Sequence, residues 1–162
     1  AGEIGHITVN PQGQKCNCGN YGCLETYAGG AYIVKKAIKE IKKGEKSLIK
    51  KLAGGNLRSI TSQTIQAAAL KGDKLARRIW KEVGEYLGIG LSGVINLLNP
   101  EVIVFGGGVT RARELVFKPM REEIRKRAFK VPFEKVKFTR TKFGADLGVI
   151  GAALLTLQGN RN

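Results

Sequence analysis

The chain has 162 residues and a net charge of +15; 43% of its residues are hydrophobic and 25% are charged. This balance is typical of one globular domain and excludes a largely disordered chain. No apolar run approaches the ~20 residues that a membrane-spanning helix needs. The first residues, AGEIGHITVN, lack the basic and apolar segments of a secretory signal, so we expect a cytoplasmic protein with no membrane partner.

The first feature in chain order is a partial alternation of apolar and polar residues over residues 4–9. This alternation predicts a short strand, which the turn residues Asn10, Pro11 and Gly13 close. A loop rich in glycine and asparagine follows and ends at Cys23. It holds all three cysteines of the chain.

Residues 24–98 show helical spacing of apolar side chains throughout. Gly29 and Gly30 are expected to interrupt or kink the first helix, and Gly44 to end it. A short helix is predicted over residues 47–52.

The second part of this helical region holds a further helix and then a long one. Thr61 or Ser62 is predicted to cap the former, and Asp73 the latter. The pair Asn99 and Pro100 stops the long helix, because a residue before proline is disfavoured in helical conformation.

The positive charge lies mainly on these predicted helices. In VKKAIKEIKKG and KLARRIWKEVGEYL the basic residues stand opposite apolar ones, as on a solvated helix face. No alternation of aromatic and basic residues and no recognition-helix pattern accompanies them. We therefore expect no nucleic-acid partner.

The last region, residues 100–162, changes character. EVIVFGGG is a short apolar run that predicts a strand buried on both faces, and KVKFTRTKF predicts a second strand. A helix over about residues 111–128, with a break at Pro119, lies between them, and LGVIGAALLTL predicts a closing helix. The order strand, helix, strand, helix indicates parallel pairing and an α/β fold.

The predicted strands are few for so many helices. A sheet of two or three strands would leave helix faces uncovered. We therefore expect a helix-rich part of a larger α/β domain.

The cysteine loop combines Cys16, Cys18 and Cys23 with the only histidine, His6. Three thiols cannot all pair within one chain, and Cys16 and Cys18 are too close for an unstrained disulfide. One imidazole and three thiolates form the usual ligand set of a closed, structural zinc site. The alternative is a set of unrelated buried thiols, which the clustering disfavours.

Two carboxylates flank this candidate metal site. Glu3 lies three residues before His6, and Glu25 lies two residues after Cys23, so a loop folded around zinc would draw both towards the imidazole. Carboxylates and an N–H that converge suit a ligand with many hydroxyl groups. The alternative is two ordinary surface glutamates.

These residues match a known family. GEIGH (residues 2–6) followed by CNCGNYGCLE (residues 16–25) resembles the zinc-and-sugar segment of the ROK family, which comprises bacterial and archaeal sugar kinases, glucokinases among them, and sugar-responsive transcriptional repressors. VIVFGGGV (residues 102–109) resembles the adenosine-binding glycine turn of the actin-like, ribonuclease H-like ATPase fold. LGVIGAALL (residues 147–155) resembles the family's hinge helix.

The resemblance implies a role for each matching residue. The zinc ligands would be His6, Cys16, Cys18 and Cys23, and the residues that bind sugar hydroxyls would be Glu3, His6 and Glu25. The turn formed by Gly106, Gly107 and Gly108 would pack near the nucleotide, although by itself such a triplet also fits a tight strand-to-helix turn. The chain would comprise a sugar and zinc segment (1–25), a helical region (26–99) and a nucleotide-side α/β region (100–162).

The resemblance further implies that this chain is the C-terminal portion of the family's domain. The phosphate-binding loop and the catalytic aspartate are expected upstream, so we predict no catalytic residue in this chain and no activity of the chain alone. The complete protein would be an ATP- and Mg²⁺-dependent kinase of a hexose, with glucose first among the candidates, and a homo-oligomer. The alternatives are the effector-binding half of a ROK repressor and a stand-alone zinc-stabilised binding module.

Overall fold

The computed structural model describes residues 2–141, 143 and 146–159. Within them the chain is mostly helical, and none of the described helices is long and apolar enough to cross a membrane. The α-helices are α1 (Glu25–Ala28), α2 (Gly30–Lys42), α3 (Leu48–Leu52), α4 (Ser62–Leu70), α5 (Lys74–Leu98), α6 (Glu114–Arg127), α7 (Lys130–Lys135) and α8 (Leu147–Gly159). The strands are β1 (Val102–Phe105) and β2 (Lys137–Arg140), and 3₁₀-helices span Ile4–His6, Leu57–Ser59 and Gly108–Ala112.

The helix boundaries of the helical region follow the predicted capping residues. The Thr61 hydroxyl accepts the Thr64 N–H at 3.1 Å, so Thr61 rather than Ser62 caps α4. Asp73 Oδ1 accepts the Ala76 N–H at 2.8 Å and caps α5. Asn99 ends α5 in the left-handed conformation, with φ +43°.

The core lies on two sides of the long helix α5. Towards its N-terminal half, Ile79, Trp80 and Val83 pack among residues of α2, α3 and α4. Towards its C-terminal half, Ile95 packs against α6 residues that include Met120. All five side chains are almost fully buried, so α5 is the element around which the other helices are arranged.

The contact between α5 and α6 is close enough to bring backbone against backbone. A Cβ placed on Gly84 would lie 2.5 Å from the Val116 carbonyl oxygen and 2.6 Å from Pro119 Cγ. The predicted break at Pro119 is wrong, because α6 runs through it. The proline ring packs against Gly84, and this packing compensates for the backbone hydrogen bond that proline cannot donate.

The strands β1 and β2 pair in parallel, as predicted, with Ile103 opposite Phe138. The prediction that β1 is buried on both faces is wrong: Val102 and Val104 are 47% and 51% exposed. Ile103 and Phe105 face the core around α6, whereas the other face of β1 has no covering layer in the described part of the chain. The predicted second strand also included Lys142, which lies outside the described residues.

Two further expectations for local structure need correction. Residues 4–9 do not form a strand, since Ile4–His6 is a 3₁₀-helix in which the His6 N–H donates to the Glu3 carbonyl at 3.0 Å. The alternation was too short to specify strand pairing, and the hydrogen bonds are local. The helix predicted over residues 111–128 begins only at Glu114, because residues 108–112 form a 3₁₀-helix.

We predict that Gly88→Ala destabilises the fold, because a Cβ on Gly88 would lie 2.6 Å from Glu123 Cβ and 2.8 Å from the Met120 carbonyl oxygen. Overpacking of this kind typically lowers the free energy of unfolding by about 1–3 kcal/mol. Urea denaturation of the variant and the wild type measures the difference. Gly93→Ala is the matched control: Gly93 lies in the same helix, with nothing within 4 Å of a Cβ, and alanine there is expected to stabilise by up to about 1 kcal/mol. Equal effects of the two substitutions would contradict the packing argument.

Candidate functional site

The four predicted metal ligands come together. The ligand atoms of His6, Cys16, Cys18 and Cys23 all lie within 4.8 Å of one another. The sulfur of Cys16 is 3.7 Å from His6 Nδ1, and the sulfurs of Cys18 and Cys23 are 3.6 Å apart. In a tetrahedral zinc site with Zn–S bonds of about 2.3 Å, neighbouring sulfurs lie about 3.8 Å apart. The donor set and its spacing therefore fit a zinc ion.

The backbone of the loop places the cysteines through short, local pairings. Thr8 forms an antiparallel bridge with Cys23, and Lys15 forms one with Tyr21. These two bridges fold the loop back on itself. Gly22 lies so close to the Asn10 carbonyl oxygen that a Cβ would be 1.6 Å from it, so only glycine fits there.

The three thiols differ in their exposure to solvent, and those of Cys18 and Cys23 differ in their pKa. Cys16 and Cys23 are buried and Cys18 is exposed, and all three are free. Burial, together with the neighbouring thiols of Cys18 and Cys16, raises the pKa of Cys23 to about 12. A backbone hydrogen bond from Asn20 lowers the pKa of Cys18. A thiolate at Cys23 is thus disfavoured unless a cation lies beside it, which is the condition that a metal ion meets.

The carboxylate of Glu25 lies at the edge of this cluster. Glu25 is the first residue of α1, and its Oε2 is 3.7 Å from His6 Nδ1 and 3.7 Å from the Cys16 sulfur. Gly29 permits this placement, since a Cβ there would lie 3.0 Å from Glu25 Cγ and 2.6 Å from its carbonyl oxygen. The side chains of His6 and Glu25 are 38% and 43% exposed, so a ligand in solution can reach both.

Glu3 is exposed and caps the same 3₁₀-helix that ends at His6. Residues three apart in a 3₁₀-helix lie on the same side of it, which places Glu3 on the side of His6. The contact that joins them in the structure is the hydrogen bond from the His6 N–H to the Glu3 carbonyl. The structure thus brings Glu25 to the imidazole and leaves Glu3 one turn away.

This arrangement suits binding more than bond cleavage. Three cysteines and one histidine complete a tetrahedral set, and a zinc ion held by four protein ligands keeps no open position for water. The two accessible carboxylates accept hydrogen bonds, and the imidazole can donate one, so together they match the hydroxyl groups of a polyol.

The predicted nucleotide turn lies in the other part of the molecule, between β1 and the 3₁₀-helix that starts at Gly108. Gly106, Gly107 and Gly108 are all exposed. Gly107 has φ +82°, and its carbonyl accepts the Thr110 hydroxyl at 2.7 Å. A Cβ on Gly107 or Gly108 would meet nothing within 4 Å, so this face of the turn is open.

Sequence reasoning missed the side chains that anchor the cysteine loop. Asn10 Nδ2 donates to the Tyr27 hydroxyl at 3.0 Å, and Gln14 Nε2 donates to the Thr26 carbonyl at 2.7 Å. The ring of Tyr27 stacks on that of Tyr86, with centroids 3.7 Å apart, which ties the loop to α5. No pattern in the sequence marks these partners, because their contacts are tertiary.

Comparison with known proteins identifies the family to which the chain is similar. The model of the ROK family matches residues 1–159. The glucokinase of Thermotoga maritima is 34% identical over 151 residues, which cover 93% of this chain and 47% of the glucokinase. The DNA-binding transcriptional dual regulator NagC of Escherichia coli is 40% identical over 129 residues, covering 80% of this chain and 30% of NagC.

A solved structure extends the comparison to three dimensions. The ROK family glucokinase from Streptomyces griseus, in complex with glucose and AMPPNP, superposes with a TM-score of 0.81 at 32% identity, covering 96% of this chain and 51% of that one. The chain thus spans about half the length of the glucokinases it matches.

The presence of NagC among the relatives bears on the expected partners. NagC is named a DNA-binding regulator, so the prediction of no nucleic-acid partner does not hold across these relatives. With nearly its whole length matched by the family model and a glucokinase as a structural neighbour, the chain belongs to the ROK family.

Proposed function

We propose that this chain forms the sugar-binding wall, a structural zinc site and the adenosine-side glycine turn of an ATP-dependent hexose kinase, with glucose as the substrate. The observation that carries the proposal is the convergence of the three thiols and His6 beside the accessible Glu25 carboxylate. The glucokinase with bound glucose and AMPPNP, which superposes on 96% of this chain, supports it.

In this proposal zinc braces the loop and supplies no reaction step. The ring nitrogen of His6 that faces the Cys16 sulfur is Nδ1, at 3.7 Å. A metal bound there would fix the tautomer of the imidazole and leave Nε2–H to donate to a sugar hydroxyl. Glu3 and Glu25 would accept hydrogen bonds from further hydroxyls, which orients the sugar.

The glycine turn after β1 would hold the nucleoside. In the complete protein, Mg²⁺ and ATP supply the phosphoryl group, and catalysis of this type depends on positioning and on neutralisation of phosphate charge. The residues of this chain hold the acceptor sugar and one side of the donor. The catalytic base and the phosphate-binding loop belong to the upstream portion of the proposed enzyme.

Exposed apolar side chains support a larger assembly. Val104 on β1 and Val149 and Leu155 on α8 are all exposed. On α8 alone Val149, Leu154, Leu155 and Leu157 are all more than half exposed, and so many large apolar side chains on one helix favour a contact with other protein. We therefore propose that segment 100–162 packs against the remainder of the domain.

We further propose that segment 1–25 forms the sugar wall and that segment 26–99 supports it with helices. The proposed enzyme is a homo-oligomer in the cytoplasm.

A second candidate is the effector-binding half of a sugar-responsive repressor. The observation in its favour is the identity to NagC, 40% against 34% for the Thermotoga glucokinase. Such a protein would keep the sugar wall and the metal brace. It would carry a DNA-binding helix pair, where the kinase carries a phosphate-binding loop.

We predict that the purified protein retains one zinc ion per chain and that Cys18→Ser removes it. Cys18 is exposed, so the substitution alters a ligand with little change in packing. Metal content by plasma emission spectrometry is expected to fall from one equivalent to near zero, and the melting temperature to fall with it. Asn17→Ser, an exposed change in the same turn, is the control and keeps the zinc. A wild-type protein that binds no zinc, even after zinc is added, would refute the proposed site.

In the complete protein, we predict that Glu25→Gln raises the KM for glucose about tenfold or more, because a hydrogen bond to a charged group contributes about 1.5–3 kcal/mol. The KM for ATP is expected to stay unchanged, which a general loss of folding would not produce. Glu101→Gln, at an exposed position after α5, serves as the control. An unchanged KM for glucose would remove Glu25 from the sugar site.

The 162-residue chain alone is expected to transfer no phosphoryl group from ATP to glucose, because no residue in it is assigned as the catalytic base or as a phosphate-binding loop. A coupled assay of the phosphorylated sugar tests this directly. Turnover above the background without protein would contradict the assignment of the base to the upstream portion.

A further inference from the structure

A cavity of about 250 Å³ lies behind the cysteine loop, between α2 and α5. The loop contributes Gln14 to its wall, α1 contributes Thr26 and Tyr27, and α2 contributes a row of lysines. The cavity is distinct from the cluster of His6 and the cysteines, none of which lines it. It is a separate space that shares a wall with the proposed sugar site.

The carboxylates in this cavity are already paired with cations. Glu82 forms an ion pair with Lys36, and Glu40 forms one with Lys43 at 2.8 Å. The hydrogen bond from Lys43 holds the pKa of Glu40 below its usual value. Each carboxylate thus already has a lysine partner, and neither is paired with a further lysine of the cavity among the described residues.

Within the described structure, the positive charge of two lysines of the cavity is not offset by a neighbouring carboxylate. Lys35 and Lys39 are exposed, and neither has a carboxylate partner in the part of the chain that the structure describes. They lie four residues apart on α2, where like charges repel. The Lys35 ammonium is held 5.2 Å from the centroid of the Tyr32 ring, which also lines the cavity. An anion placed between the two ammonium groups would relieve their repulsion.

The remaining polar groups suit hydroxyls. Gln14 Nε2 is engaged by the Thr26 carbonyl at 2.7 Å, which leaves its side-chain oxygen as an acceptor. The Tyr32 ring adds an aromatic face to the same wall, while its phenol lies within reach of the Asn17 backbone and the Cys16 thiol. Unbalanced cations beside neutral hydrogen-bonding groups and aromatic rings match a small polyol that bears a phosphate.

The wall between the cavity and the candidate sugar site is one short segment. Thr26 follows Glu25 directly, its carbonyl is held by Gln14, and its hydroxyl donates to the Cys23 carbonyl at 2.8 Å. A ligand that contacts Gln14 and Thr26 therefore contacts the short backbone segment that also carries Cys23, a proposed metal ligand, and Glu25, a proposed sugar ligand.

We propose that this cavity is a second site, selective for a phosphorylated hexose, whose occupation changes the affinity of the neighbouring sugar site. The binding of the phosphorylated hexose stands on the cavity alone, whereas the coupling rests on the proposed sugar site at His6 and Glu25. Since a hexose kinase produces a sugar phosphate, such a site would report the level of its product.

The test is calorimetric titration of the complete protein with glucose 6-phosphate in the presence of saturating glucose, which occupies the sugar site. One saturable binding event is expected. The double variant Lys35→Gln/Lys39→Gln is expected to bind at least tenfold more weakly. The control variant Lys50→Gln/Lys51→Gln, which removes the same charge from exposed positions on α3, is expected to bind within twofold of the wild type.

The titration overturns the proposal if the wild type shows no such event or if the double variant binds as tightly as the wild type. Inorganic phosphate that binds as tightly as the sugar phosphate would overturn the selectivity for a hexose. Coupling requires that glucose 6-phosphate change the glucose affinity differently in the wild type and in the double variant, and equal changes would refute it. Absence of phosphotransfer with retained, lysine-dependent binding would refute the kinase and leave the cavity site standing.

Discussion

The close packing of α5 against α6 and against Leu24 fixes the positions of the two candidate functional regions, the glycine turn after β1 and the cysteine loop. Gly84 and Gly88 let α6 approach on one side, where a methyl group would collide with the α6 backbone. On another side Gly90 faces Leu24, whose Cδ2 would lie 2.9 Å from an added Cβ, and Leu24 directly precedes Glu25. One helix therefore holds the strand region through α6 and the cysteine loop through Leu24. Because three glycines permit these contacts, the packing depends on backbone proximity more than on side-chain volume.

The cysteine loop has little apolar material of its own. Within it the buried side chains are Cys16 and Cys23, and the rest of the loop is largely glycine and polar residues. Such a segment buries too little apolar surface to offset the entropy of ordering it. A metal ion bound by four side chains would supply that stability, since the binding energy of a structural metal adds to the energy of folding. The same ion would set the orientation of His6, so that one site serves both the fold and recognition.

Local chemistry predicted much of this structure, and tertiary contacts account for the failure at Pro119 and for the missed anchors of the cysteine loop. Asp73 and Thr61 cap helices because their side chains satisfy nearby N–H groups, and the cysteine cluster was visible because its ligands are close in sequence. The predicted break at Pro119 failed, because the packing of this proline against Gly84 cannot be read from the sequence. Gln14 also carried no signal, because its partner Thr26 becomes adjacent only when the loop folds. The sugar-binding roles came from the family resemblance, not from spacing.

The glycine turn after β1 bears on the choice between a kinase and a repressor, because only the kinase needs a nucleotide there. Gly107 carries no information on this point, because its φ of +82° requires glycine for the backbone alone. Gly108 is different: its φ is not positive, and a Cβ there would meet nothing within 4 Å, so the fold of the described residues does not demand glycine. The same is true of Gly93, so an exposed glycine that the backbone does not require permits a flat ligand against the chain but does not by itself indicate one. Gly108 therefore leaves room for the nucleotide of the proposed kinase, and the same open surface is equally compatible with a repressor.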